Sequence, residues 1–177
     1  MRAFFPAGPR TAPPPGQTWD GLMALALAEA ESAGAAGEVP VGAVVAAADG
    51  RVLSRAGNAP LGLCDPTAHA EILALRAAAA VTGNYRLSGC VLVVTLEPCA
   101  MCAAALIHAR VDGLVYGAAD PLAGAVISRG EYLDAPRANH RVWHMGGICS
   151  RQCAALLRGF FRRRRHGALG ATPERDA

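Results

Sequence analysis

Two short runs of the sequence carry residue types that can do chemistry. They are Pro66-Thr67-Ala68-His69-Ala70-Glu71 and Thr95-Leu96-Glu97-Pro98-Cys99-Ala100-Met101-Cys102. One imidazole and two thiolates are donors that zinc favours, and three protein ligands leave a fourth position to water, as catalytic zinc sites do. A water held there is acidified toward neutral pH and becomes a nucleophile. The Glu71 carboxylate is suited to accept that water's proton, pass it to a substrate ring nitrogen and then protonate departing ammonia. The chemistry expected is hydrolytic removal of an amino group from a heteroaromatic ring.

Spacing limits how these groups can meet. Cys99 and Cys102 are three apart, so their sulfurs leave one face of a helix's first turn. Pro98 suits the start of that helix, because its missing N–H costs nothing there. His69 and Glu71 are two apart and would point in nearly opposite directions on a regular helix. They converge only if the helix begins between them, with His69 in a turn-like conformation that Pro66 and Thr67 allow. Two helix N-termini aimed at one spot would favour thiolates and a metal. Either run alone reads equally as a packed histidine, a first-turn acid, and a redox or structural cysteine pair. Both at strand-to-helix junctions favour catalytic zinc.

The elements that must position these runs follow from pattern. Trp19, Leu22, Met23, Ala26, Leu27 and Ala30 have helical spacing, closed by Gly34 and Gly37. Residues 41–47 read as a buried strand, Asp49-Gly50 as a hairpin turn and 51–55 as its antiparallel partner. Residues 58–66 read as loop, with Pro60, Gly62 and Pro66 as breakers. A helix is expected over 69–80, a central strand over 90–95, and a helix from Glu97-Pro98 to about Arg110. Short strands follow at 114–116 and 141–144. Ser150 is expected to cap a last helix whose apolar face carries Leu156, Leu157, Phe160 and Phe161. Helix, hairpin, then alternating strands and helices imply an α/β fold in three α/β/α layers, with a mixed sheet of roughly five strands.

With 177 residues, 53% hydrophobic and 18% charged, the chain fits one compact domain. We expect a deaminase domain over 19–165, flanked by a disordered extension at 1–18 and a disordered tail at 166–177. No run approaches the ~18 apolar residues of a transmembrane helix, and Pro6 interrupts an apolar start too short for a signal peptide. A cytoplasmic protein with reduced cysteines is expected. Cys64 and Cys90 are isolated, and Cys149 and Cys153 lack a companion ligand, so packing suits all four better than metal binding. Net charge is +3, every basic residue is arginine, and no acid lies between 134 and 174. Arg137, Arg141, Arg151, Arg158 and Arg162 to Arg165 fall in that window, a row that could meet nucleic-acid phosphates or form a solvated helix end.

The H-x-E and P-C-x-x-C pair is the known signature of zinc-dependent nucleobase deaminases. The chain resembles that superfamily and, more narrowly, the bacterial tRNA-specific adenosine deaminases. The narrower likeness rests on Glu38-Val39-Pro40-Val41-Gly42-Ala43-Val44, Asp65 to Ile72, Asn84-Tyr85-Arg86-Leu87, Thr95 to Cys99, Met101-Cys102 to Ile107-His108, Asn139-His140-Arg141-Val142, Cys153 to Leu157 and Phe160-Phe161. It runs from about Trp19 to Arg165. The resemblance implies zinc held by His69, Cys99 and Cys102, with Glu71 catalytic. The implied reaction converts adenosine to inosine at the wobble position of an arginine tRNA, in a homodimer that grips the anticodon loop. It further implies that Asn58 hydrogen-bonds the nucleoside, Val41 walls the pocket, Ala70 offers a backbone N–H and Asp120 lies on a loop contacting the neighbouring nucleotide. Two departures stand out. Ala59 replaces a usual basic residue, and Ala119-Asp120-Pro121-Leu122-Ala123-Gly124 lacks basic side chains. The alternative is a free base or nucleotide deaminase of guanine, cytosine or deoxycytidylate type. A lesser one is a non-catalytic RNA-binding subunit with structural zinc, which an intact Glu71 disfavours.

Overall fold

The structure, a computed structural model, describes residues 12–136 and 138–170. Residues 1–11, Arg137 and 171–177, where parts of the expected extension, basic window and tail fall, lie outside the described residues.

Five strands form one mixed sheet: β1 (Gly42–Ala46), β2 (Val52–Gly57), β3 (Val91–Leu96), β4 (Gly113–Ala118) and β5 (Trp143–Gly146), in the order β2-β1-β3-β4-β5. β1 runs antiparallel to β2 and β3, while β3, β4 and β5 are parallel. The helices are α1 (Trp19–Ala35), α2 (Pro60–Leu63), α3 (Ala70–Thr82), α4 (Ala100–Ala109) and α5 (Ser150–Gly170).

Strand side chains alternate between two cores, as the period of two requires. Ala43, Val45, Leu92, Val94, Leu114 and Tyr116 pack with Ala70, Ala74, Leu75, Ala103 and Leu106 of α3 and α4. Val44, Ala46, Val91, Val93 and Val115 face Leu22, Met23 and Ala26 of α1 and Cys153 of α5. Coverage of both faces is why β1, β3 and β4 are almost continuously apolar. The three-layer α/β/α arrangement and the five-stranded mixed sheet agree with the sequence reading.

The hairpin lies unusually close to α1. Gly42 and Gly57 are register partners, and a Cβ at Gly42 would sit 2.0 Å from the Ala26 carbonyl oxygen and 2.5 Å from the Ala30 nitrogen. Backbone atoms cannot swing aside as a side-chain tip can. Gly42→Ala should therefore lower unfolding stability by about 1–3 kcal/mol, measured by urea denaturation. A midpoint equal to wild type would mean that α1 yields.

Several local expectations needed correction. Residues 60–63 form the short helix α2 rather than loop. Pro60 stands in its first turn, where proline is tolerated, and the Gly62 N–H donates to Glu38 Oε1 at 2.8 Å. Pro98 does not begin a helix; it precedes the cap, and α4 starts at Ala100. The strand expected over 141–144 is shifted to 143–146. On α5, Phe160 is buried but Phe161 is 43% exposed, so Phe161 leaves the apolar face. Residues 12–18 do not match an extension without structure: Pro14 is buried, and the Gln17 side-chain amide donates to Gly50 O at 2.7 Å. Likewise α5 continues through 166–170.

Candidate active site

Both runs singled out above lie where the chain enters α3 and α4. His69 is the N-cap of α3, with φ −71° and ψ 150°, and Cys99 is the N-cap of α4, with φ −73° and ψ 174°. Neither side chain makes a capping hydrogen bond. Forgoing a cap costs a helix about 0.5–2 kcal/mol, so an imidazole and a thiol at these positions suggest another use. α3 recovers part of the loss from elsewhere in the chain. Its first N–H, at Ala70, donates to Asn58 Oδ1 at 2.9 Å.

The entry to α3 is built by Asp65. Its Oδ1 accepts the Thr67 N–H and hydroxyl, both at 2.7 Å, and its carbonyl accepts the Ala68 N–H at 3.0 Å. This turn leaves His69 extended and Glu71 inside the first helical turn, so the helix does begin between them. The required break is present.

His69 Nδ1 lies 3.8 Å from Cys99 Sγ and 3.6 Å from Cys102 Sγ, and the three ligand atoms are all within 4.8 Å of one another. Zn–N bonds of about 2.0–2.1 Å and Zn–S bonds of about 2.3 Å meeting at a tetrahedral angle put nitrogen and sulfur about 3.6 Å apart. The separations fit. Cys102 is fully buried, whereas His69 and Cys99 are half-buried, leaving one side open.

Electrostatics give the same answer. Hydrogen bonding from Cys102, then from His69, draws the Cys99 thiol down to about 3. Hydrogen bonding to Cys99, then burial, pushes Cys102 far up. One sulfur ionises only while the other keeps its proton, a conflict that a divalent cation between them removes. Glu71 is only 4% exposed and lies outside the converging set. Burial raises its carboxyl above the usual range, with the nearby His69 charge pulling the other way. A raised carboxyl beside a metal site suits proton transfer.

The expected substrate-facing residues cluster unevenly. The Asn58 N–H donates to Val41 O at 2.9 Å and the Asn58 side chain meets Ala70, so Val41, Asn58 and Ala70 adjoin the start of α3. The Ala70 N–H, assigned above to the substrate, is instead committed to Asn58, because that amide completes the helix end. Asp120 is tied to the other side of the site. Its N–H donates to Glu97 Oε2 at 3.0 Å, while its own Oδ1 accepts the N–H groups of Leu122 and Ala123 at 2.9 and 3.2 Å. Cys149 and Cys153 form no metal cluster among the described residues. Cys149 donates to Asp20 at 3.2 Å, and Cys153 packs against Gly117.

Sequence reasoning missed Glu97 and Asp65 as builders of the site. Asp65 left a local signal, an Asp two residues before Thr67 at a turn. Glu97 left none, since its partners are 23 to 31 residues away.

A mixed sheet with two helix N-termini bringing one imidazole and two thiols together beside a buried glutamate is the architecture of a zinc-dependent deaminase. Residues 17–118 match the cytidine and deoxycytidylate deaminase zinc-binding region. The chain belongs to that family, as a zinc-dependent hydrolase of its tRNA-specific adenosine deaminase branch. The tRNA-specific adenosine deaminase of Agrobacterium fabrum is 49% identical over 144 residues, 81% of this chain and 94% of that one. A structure from work on A-to-I editing by tRNA:A34 deaminases at the wobble position of transfer RNA is 48% identical with a TM-score of 0.75. That match covers 77% of this chain and 98% of the other. The guanine deaminase of Nitrosomonas europaea shares the fold more distantly, at 28% identity and TM-score 0.69, over 80% of this chain and 83% of that one.

Proposed function

We propose that this protein deaminates adenosine to inosine at the wobble position of an arginine tRNA. The observation that carries the reading is the convergence of His69, Cys99 and Cys102 beside buried Glu71, in a chain 38% to 49% identical to tRNA-specific adenosine deaminases. His69, Cys99 and Cys102 would hold the metal. Zinc, when bound, supplies a water acidified toward neutral pH.

Glu71 would take a proton from a water and deliver it to ring N1 as the water oxygen bonds to C6 of the adenine. The same carboxyl would then carry a second proton, from the new C6 hydroxyl, to the leaving amino group, so that the C6–N bond breaks and adenosine and water become inosine and ammonia. Asn58, whose Oδ1 is held by Ala70, presents its side-chain amino group to the nucleoside, and Val41 walls the pocket. An anticodon loop suits such a site because its bases are single-stranded and can be splayed into a pocket.

Phosphate binding falls to α5. Arg151, Arg158 and Arg162 to Arg165 are exposed, and none forms an ion pair with an acid among the described residues. Arginine not paired with an acid is suited to RNA phosphates. The reading includes a homodimer, supported by Ile127 and Tyr132 standing 57% and 50% exposed on the segment next to the site. It includes a cytoplasmic location, where tRNA is matured; no helix among the described residues is long and apolar enough to cross a membrane.

The test is incubation of the zinc-loaded protein with unmodified arginine tRNA, followed by sequencing for inosine. Inosine at the wobble position and nowhere else in the tRNA is expected. Guanine turnover with no inosine would replace this reading with the free-base one.

A further inference from the structure

Glu97 stands two residues before Cys99, yet it is not one of the converging ligands. Glu97 is 2% exposed, and both oxygens of its carboxylate are occupied. Oε1 accepts the N–H groups of Val126, Ile127 and Ser128 at 3.2, 2.8 and 2.9 Å. Oε2 accepts the Asp120 N–H at 3.0 Å and the Ser128 hydroxyl. All five donors come from residues 120–128. The same loop touches the ligand turn once more, at an isolated bridge between Cys99 and Gly124 to which the Ala125 N–H on Pro98 O at 2.8 Å belongs. A Cβ at Gly124 would lie 2.5 Å from the Glu97 carboxylate, so the approach depends on glycine there. The base of the loop is buried at Gly124, Ala125 and Val126, while Leu122 at its tip is 87% exposed.

We propose that Glu97 is a positioning residue whose carboxylate fastens the 120–128 loop to the metal-ligand turn, holding Asp120 and the exposed tip ready for the RNA beside the target base. The inference rests on the tRNA deaminase reading and deepens it. A loop ordered in advance loses little conformational freedom on binding, so releasing it should weaken substrate binding. The groups that move protons and hold metal do not include Glu97, so the chemical step should change little.

Glu97→Gln isolates the effect. The glutamine amide has the same shape, but either orientation turns its NH2 toward backbone N–H donors. Steady-state kinetics on an anticodon stem-loop should show KM raised about tenfold, kcat within about threefold of wild type and an unchanged zinc content. An unchanged KM, or a loss confined to kcat and zinc, would overturn the proposal. Should Glu97→Gln fail to accumulate as folded protein, Ser128→Ala decides in its place. It removes one donor and should raise KM about threefold, and an unmoved KM would count equally against the tether. Wild-type protein is the control for the underlying reading. No inosine from wild type sinks that reading and this inference with it, whereas active wild type with an unmoved KM in the variants sinks the tether alone.

Discussion

Glu71→Ala should yield a folded, zinc-loaded protein that has lost nearly all deamination, with kcat on the stem-loop lower by about 10²–10⁴-fold. Folding should survive because the first N–H of α3 is already satisfied by Asn58. Metal binding should survive because the convergent ligands are His69, Cys99 and Cys102. What disappears is the buried carboxyl whose raised affinity for protons suits it to carry one from water to the ring. Single-turnover kinetics paired with metal analysis check both halves. Substantial residual turnover, or loss of zinc with the activity, would contradict the assigned role.

Cys99→Ser should have the opposite profile, losing metal first and activity as a consequence. A serine hydroxyl is a poor zinc ligand, and His69 with Cys102 alone leaves an incomplete set. Metal affinity should fall by at least about 100-fold, so that dialysed protein carries little zinc. Because ligand binding free energy counts toward the folded state, the melting temperature should fall with it. Full zinc occupancy in this variant, measured by plasma emission spectroscopy, would show that Cys99 is not a ligand.

The chemistry was more legible in the sequence than the scaffolding that makes it possible. His69, Glu71, Cys99 and Cys102 could be read because ligand type, spacing and helix entry constrain one another within a few residues. The spacing of His69 and Glu71 even demanded a helix start between them, which the structure places at Ala70. The fold was legible for a related reason. Continuous apolar runs at β1, β3 and β4 record burial on both faces, which only a covered sheet provides.

What stayed hidden depends on distant partners. Pro60 and Gly62 look like breakers in isolation, but Glu38, 24 residues before Gly62, accepts the backbone N–H that secures α2 there. Pro98 looked like a first helical residue, yet Cys99 must stay extended to aim its sulfur at the metal position, which moves the helix start to Ala100. Ala70 seemed to have an N–H to offer, but Asn58 lies twelve residues earlier and takes it. Glu97 is the largest omission. Nothing in Leu96-Glu97-Pro98 signals a carboxylate serving five donors of a later loop.

The substrate is a separate matter from the metal. Guanine and adenosine deaminases share this architecture, as the Nitrosomonas europaea neighbour shows, so fold alone does not choose the base. Here the choice rests on the identity with tRNA-specific relatives and on the exposed arginines of α5. The lack of basic residues at Ala59 and across residues 119–124 shifts more of the expected RNA contact onto that helix.

Beneath the substrate question lies the metal's coordination, which X-ray absorption spectroscopy of the zinc-loaded protein in solution reads directly. Two sulfur neighbours at about 2.3 Å and two nitrogen or oxygen neighbours at about 2.0–2.1 Å are expected, one of the latter an exchangeable water. A third sulfur, or a fourth protein ligand in place of that water, would contradict a catalytic site built from His69, Cys99 and Cys102.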